Sequence, residues 1–282
     1  CMENGIHPII GCELIIIDQS KSVPRRNEDG YHLVLLAESD EGYRNLLRLT
    51  TEAHSYYRPG IDKKILKKYA KGLIALSSCL RGEIPQAILQ DRLVEAKELI
   101  FEYRSIFGRE NFFFELQNPQ TQEQQKVNRQ LIRWSKEFGV PLVATNDVHY
   151  VMPEDHIVHE CLQCIQKGIK LEEIQTARRH LHLTSAQEMG KIFSEVPEAI
   201  ANTVRIAKRC QVHLSFGKRL YPHFPIPKGV SAAHLLREKC MEGAKERYGQ
   251  LTQRVTQRLT YELTVIHQMG YDDYFLIVWD LV

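Results

Sequence analysis

PLVATNDVHY, residues 141–150, runs from a proline through a short apolar stretch into Asn146-Asp147-Val148-His149. The apolar part barely alternates in polarity, which is the pattern of a strand covered on both faces. In parallel α/β folds, active sites collect where such strands end. Residues two apart on a strand point to the same side, so Asp147 and His149 are expected to face one site. A carboxylate and an imidazole placed there can share a metal ion. The residues alone equally allow an Asp that caps a turn and a His that packs locally.

Four further stretches resemble this one: 8–17, 31–38, 73–80 and 112–116, rich in Ile, Val, Leu and Phe. Helical patterns lie between them. From 82 to 107 apolar residues recur at Ile84, Ile88, Ala96, Ile100, Tyr103 and Phe107, which predicts one amphipathic helix. From 121 to 138 the stripe is Val127, Leu131, Trp134 and Phe138. Strands alternating with helices predict parallel strands and helical crossovers, in a barrel or a doubly wound sheet. After residue 150 the pattern is mostly helical, with helices predicted over 153–168, 185–193 and 197–210. Ser185 and Glu188 form a capping-box signature, and Pro197 suits a first helical turn. A proline-rich break around 215–229 places a domain boundary near residue 218. Helices are then predicted over 232–248 and 254–269, and the apolar run 274–282 reads as the start of a strand.

The other candidate ligands sit on the strand-like runs. Cys79 ends the run 73–80, where its thiolate would suit Zn²⁺, although free cysteines commonly serve as small buried hydrophobes. Glu13 interrupts IIGCELIII, where a carboxylate is costly unless it is paired, ligates a metal or reaches solvent at an edge. His32 opens YHLVLLA, and its plainer reading is a strand-edge histidine. Together the set offers O, N and S donors for a transition metal. The stretch His156-Ile-Val-His159-Glu-Cys161-Leu-Gln-Cys164 looks like a zinc module, but on a helix of about 100° per residue its four ligands spread over about 200°. They read as ordinary helix residues. The basic stretch 62–71 reads as a solvated helix face, while Arg178-Arg179-His180 and Lys218-Arg219 are ambiguous. No phosphate loop, dinucleotide fingerprint or nucleophile elbow occurs.

Composition excludes some classes. Lys and Arg number 37 against 35 acidic residues, a net charge of +2, so any nucleic-acid surface must be local. No apolar run approaches the roughly 20 residues needed to cross a bilayer. Seven irregularly spaced cysteines and the absence of a signal-peptide pattern predict reduced thiols in the cytoplasm. A chain starting on Cys1 and stopping in FLIVWDLV is expected to be part of something longer.

PIIGCELII, HLVLLAESDEGYRNLLRLTTEAH, GLIALSSCLRGEIPQAIL and VPLVATNDVHY resemble, in order, segments of the PHP (metal-dependent phosphoesterase-like) domain of bacterial C-family replicative polymerase subunits, the DNA polymerase III alpha family. LYPHFPIPKG and YELTVIHQMGYDDYFLIVWDLV resemble the passage from that domain into the polymerase region. The resemblance covers essentially the whole chain. It implies a distorted (β/α)7 barrel truncated at its N-terminus over 1–218, then the start of the catalytic region over 219–282. It also implies a cluster of divalent metal ions, zinc first with manganese or magnesium as alternatives, on Glu13, His32, Cys79, Asp147 and His149. Asp147 and His149 would serve catalysis through the metal. His32 fits a simple barrel least well, because it begins its strand. The family's HxH motif and a downstream Asp-His pair would precede Cys1, and the polymerase carboxylates, with their Mg²⁺ and dNTPs, would follow Val282. The implied activity is DNA-templated DNA synthesis by the whole subunit, with a PHP domain that is a 3′–5′ exonuclease in some members and a scaffold for a proofreading subunit in others. Implied partners are primer–template DNA, a sliding clamp and a proofreading subunit, with no membrane. The rivals are a stand-alone PHP phosphatase of the histidinol-phosphatase type, against which residues 217–282 count, a non-catalytic scaffold, and an error-prone paralogue.

Overall fold

The computed structural model describes residues 1–17, 30–55, 60–118, 120–173, 181–217 and 221–282. Arg178-Arg179-His180, Lys218-Arg219 and the position of the expected boundary at 218 lie outside them. The chain divides into two compact units, Cys1–His213 and Leu214–Val282.

The first unit is built on β1 (Gly11–Ile16), β2 (Tyr31–Ala37), β3 (Leu73–Leu76), β4 (Phe112–Gln117) and β5 (Leu142–Thr145), hydrogen-bonded in that order in one sheet. Expected parallel pairing holds only for β3–β4 and β4–β5; β1–β2 and β2–β3 are antiparallel. β1 and β2 bury one face and leave the other half covered, but apolar residues such as Ile15, Val34 and Leu36 on that second face hide the alternation that marks antiparallel strands. Alternation along each strand sorts the sheet into two faces. Leu14, Leu33, Leu35, Ala75, Phe112, Phe114 and Ala144 join the main core, whereas Ile74, Leu76, Phe113 and Val143 form a smaller cluster on the opposite face.

Helices α1 (Asp40–His54), α2 (Lys63–Lys68), α3 (Glu83–Leu89), α4 (Leu93–Phe107) and α5 (Gln122–Phe138) connect the strands. Their ends follow capping rules. Ser39, Asp62 and Thr121 accept the N–H groups of Gly42, Ile65 and Gln124, and Gly139 ends α5 at φ 64°. The single helix expected over 82–107 is two, because Asp91 takes a left-handed φ of 56° between α3 and α4. In the basic stretch, Lys63 is committed to Glu83 and Glu102, at 2.8 and 2.6 Å. The unit continues through α6 (His156–Lys167), α7 (Ala186–Ile192) and α8 (Pro197–Arg209). Asn202 of α8 donates to the Leu142 carbonyl at 2.7 Å, fastening that helix to β5.

Among the described residues the second unit has three helices, α9 (Ala232–Tyr248), α10 (Gln253–Gln268) and α11 (Asp272–Leu281). The run 274–282 is therefore helical and not the strand expected from it. A short apolar run has no periodicity that separates the two states. Asp272 and Asp273 in the first turn of α11 favour its positive end, and Asp273 accepts the Phe224 N–H at 2.8 Å. Leu276 is the fully buried side of this helix, while Trp279 remains half exposed. No described helix is long and apolar enough to cross a membrane.

Candidate metal centre

Antiparallel pairing of β1 with β2 sets Glu13 opposite Val34 and His32 opposite Ile15. Opposite residues share a face, so Glu13 and His32 are diagonal neighbours on one side of the sheet. Pairing of Val34 with Leu76 then carries the beginning of β2 to the end of β3. This explains how His32, near the start of its strand, reaches the edge where β3 stops. The His32 N–H donates to the Arg81 carbonyl at 3.1 Å.

The strand expected over 73–80 ends at Leu76, and Ser78 takes a left-handed φ of 68°. That turn presents Cys79, and the Gly82 N–H closes it on the Cys79 carbonyl at 2.8 Å. Glu13, His32 and Cys79 consequently converge, with their ligand atoms all within 4.8 Å of one another. Among the described residues no other group of three His, Cys, Asp or Glu side chains does so. The Cys161 and Cys164 stretch lies on α6 and forms no such group.

His32 Nδ1 stands 2.6 Å from Glu13 Oε1, yet it is buried and makes no well-directed hydrogen bond. Hydrogen bonding to Cys79, and secondarily to Glu13, pushes the His32 pKa up to about 9 against the desolvation of its charged form. Hydrogen bonding from His32 holds the Glu13 carboxyl below its ordinary range. Ser78 Oγ also donates to Glu13 Oε2 at 3.4 Å. A buried imidazole nitrogen left without a directed partner, beside a thiol and a carboxylate, fits a divalent cation with mixed O, N and S ligands.

Asp147 and His149 occupy a different position from the one expected. β5 ends at Thr145, so both lie beyond the strand. Asp147 lines a cleft of about 170 Å³ together with Cys79, Arg81, Gln117, Gln124 and Asn146. His149 Nδ1 lies 3.0 Å from the Asp147 carbonyl and 3.6 Å from its carboxylate, and the ring packs on His159 at 4.9 Å between centroids. Three of the five expected ligands are thus together, Asp147 shares a cleft with one of them, and His149 stands outside the trio. Thr121 and Gln124, from the N-terminal end of α5, also line the cleft, which brings the positive end of that helix dipole beside it.

Sequence reasoning passed over Glu115 and His182. Glu115 in β4 is only 5% exposed, and burial raises its carboxyl pKa. Its signal was present in FFFELQ, a lone carboxylate inside an apolar strand, the same cue that singled out Glu13. His182 Nδ1 is buried without a partner. Asn146 donates to the His182 carbonyl at 2.9 Å, a proximity that no sequence pattern announces.

Residues 1–119 match the PHP domain family, and residues 234–282 match the bacterial DNA polymerase III alpha NTPase domain. A DNA polymerase III subunit alpha of Borreliella burgdorferi is 40% identical across 99% of the chain. The Bacillus subtilis protein of the same name is 38% identical across all of it. This chain is a homologue of the bacterial DNA polymerase III alpha subunits. An error-prone DNA polymerase of Symbiobacterium thermophilum is also 38% identical, over 99% of the chain. The chain spans about a quarter of the length of these curated relatives. Within this alpha-subunit family the Glu13–His32–Cys79 trio falls inside the PHP segment, and Asp147 falls beyond it.

Proposed function

We propose that this chain is the PHP-bearing part of a cytoplasmic alpha subunit that carries out DNA-templated DNA synthesis on a primer–template. The observation that carries this reading is similarity to alpha subunits along essentially the whole chain, the helical second unit included. A stand-alone phosphatase has no use for that second unit. In this reading residues 1–218 are a PHP domain, completed as a (β/α)7 barrel by preceding sequence, and 219–282 begin the polymerase region. Mg²⁺ and dNTPs belong to the polymerase site outside this chain, and a sliding clamp and a proofreading subunit are its replisome partners.

The candidate centre adds a second activity, metal-dependent hydrolysis of a phosphodiester in the 3′–5′ direction. Glu13, His32 and Cys79 hold a divalent cation, zinc before manganese or magnesium, with Asp147 added from the cleft it shares with Cys79 and His149 standing beside Asp147 as the fifth candidate ligand. Such a cation supplies Lewis acidity and a hydroxide near neutral pH. The chain itself orients the ligands from within β1, the start of β2 and the turn after β3, and the α5 terminus attracts the phosphate. Arg81, lining the same cleft, adds positive charge.

The test is Asp147→Asn in the full-length polypeptide, followed by exonuclease rate, polymerase rate and melting temperature. Loss of 3′-nucleotide removal with polymerisation and melting retained supports the nuclease. Parallel loss of both activities and of melting temperature indicates a structural metal, because metal binding and folding are coupled. Unchanged exonuclease activity removes Asp147 from the site.

A further inference from the structure

β4 contributes one charged side chain to the interior, and its contacts reach both walls of the cleft. Alternation puts Glu115 on the face of Phe113, away from the main core that holds Phe112 and Phe114. Val34, Ile74 and Leu76 belong to that same face, and the register of β1 and β2 adds Glu13 and His32 to it. Glu115 Oε1 accepts the Thr145 hydroxyl at 2.6 Å and Gln117 Nε2 at 3.4 Å. Its main-chain N–H donates to Ser77 Oγ at 2.9 Å. Oε2 is buried and has no partner. Thr145 stands two residues before Asp147, and Ser77 two residues before Cys79. A single residue of β4 thus contacts both neighbouring strands, by its side chain at β5 and by its main-chain N–H at β3, just where each leaves the sheet.

We propose that Glu115 is a positioning residue of the metal centre: its carboxylate holds the end of β5 through Thr145 so that Asp147 faces the cation, and its charge lies on the face that carries Glu13 and His32. The inference rests on the metal-centre reading above. The Ser78 main-chain N–H lies close enough to lower the carboxyl pKa, but no well-directed hydrogen bond reaches Oε2, so a purely structural role accounts for Oε1 better than for Oε2. A glutamine would accept from Thr145 equally well and bury no charge, whereas a carboxylate oxygen without a donor is costly in an apolar interior. A divalent cation on Glu13, His32 and Cys79 lies on the same face and offsets that charge. Outer partners of this kind orient metal ligands, and their loss typically weakens affinity by roughly 10–100-fold.

The experiment compares the full-length wild type with Glu115→Gln, Thr145→Val and Cys79→Ser. Zn²⁺ affinity is measured by competition with a chromogenic chelator, and melting is measured on chelator-stripped protein. The inference expects Glu115→Gln to bind Zn²⁺ roughly 10–100-fold more weakly while the stripped protein melts at or above the wild-type temperature. Thr145→Val, which removes the hydrogen bond that Glu115→Gln keeps, should also weaken binding, by releasing the end of β5 that carries Asp147. Wild-type affinity in both variants overturns the inference, and so does lower melting of the stripped protein with affinity unchanged. Should Glu115→Gln fail to fold, Thr145→Val alone decides by the same two readouts. A wild type that takes up no Zn²⁺, or a Cys79→Ser variant that binds as well as the wild type, defeats the metal-centre reading itself. Failure of Glu115 alone leaves wild-type binding intact, so the two failures are distinguishable.

Discussion

His32 Nδ1 stands 2.6 Å from Glu13 Oε1, across two antiparallel strands whose register makes the residues diagonal neighbours. The pairing raises one pKa and lowers the other, and each shift has its own consequence for stability. The folded state holds the His32 proton more tightly than the unfolded chain. That contribution is complete below the ordinary value of 6.5 and is lost as pH rises through about 9. The Glu13 contribution is complete above its ordinary value of 4.5 and is lost as pH falls through its depressed folded value. Metal-free protein should therefore show an alkaline decline in melting temperature that His32→Gln flattens. Glu13 is nearly half exposed, so screening keeps the amplitude small. An alkaline limb of the same slope in His32→Gln would show that another group titrates there.

Cys79 supplies the soft ligand of the trio. Cys79→Ser should lower Zn²⁺ affinity by at least roughly tenfold and affect Mn²⁺ or Mg²⁺ less, because thiolate favours zinc and hydroxyl does not. Isothermal titration with each ion decides it. Equal losses for all three ions would mean that Cys79 shapes the site without contacting the metal.

Gly42 in the first turn of α1 packs directly on the chain at Gly72. A Cβ at Gly42 would lie 1.7 Å from the Gly72 carbonyl oxygen, which also accepts the Glu38 N–H at 2.9 Å. Gly42→Ala must displace either the helix or the start of β3, and should cost about 1–3 kcal/mol as an overpacking change. Chemical denaturation of the variant measures the cost. A midpoint equal to that of the parent would show that α1 can shift freely.

The two tryptophans should behave differently. Trp134 of α5 is 1% exposed and sits in the main core, whereas Trp279 of α11 is 50% exposed. Trp134→Ala should cost about 3–5 kcal/mol, as expected for deleting a buried aromatic side chain. Trp279→Ala should stay within about 0.5 kcal/mol, as surface changes do. A large loss at Trp279 in the full-length polypeptide would mark it as an interface residue.

Much of this protein can be read directly from its residues. The strand cores and the helices carry their periodicities, and the caps at Ser39, Asp62, Thr121 and Ser185 carry their chemistry, because these are interactions between residues near in sequence. Glu13 stood out as a carboxylate in an apolar run for the same reason. The directions of β1, β2 and β3 were decided only by tertiary pairing, since β1 and β2 carry apolar residues on their half-covered face as well as on the buried one and so show no clear alternation. The helical state of 272–281 and the break at Asp91 likewise depended on context that a short apolar run or a lone Asp does not encode. What joins Glu13, His32 and Cys79 is an antiparallel register and one left-handed turn at Ser78, and what leaves His149 outside the trio is the end of β5 at Thr145. Glu115 is the clearest case. Its charge is plain in the sequence, but its unpartnered oxygen exists only once β3 and β5 have closed around it.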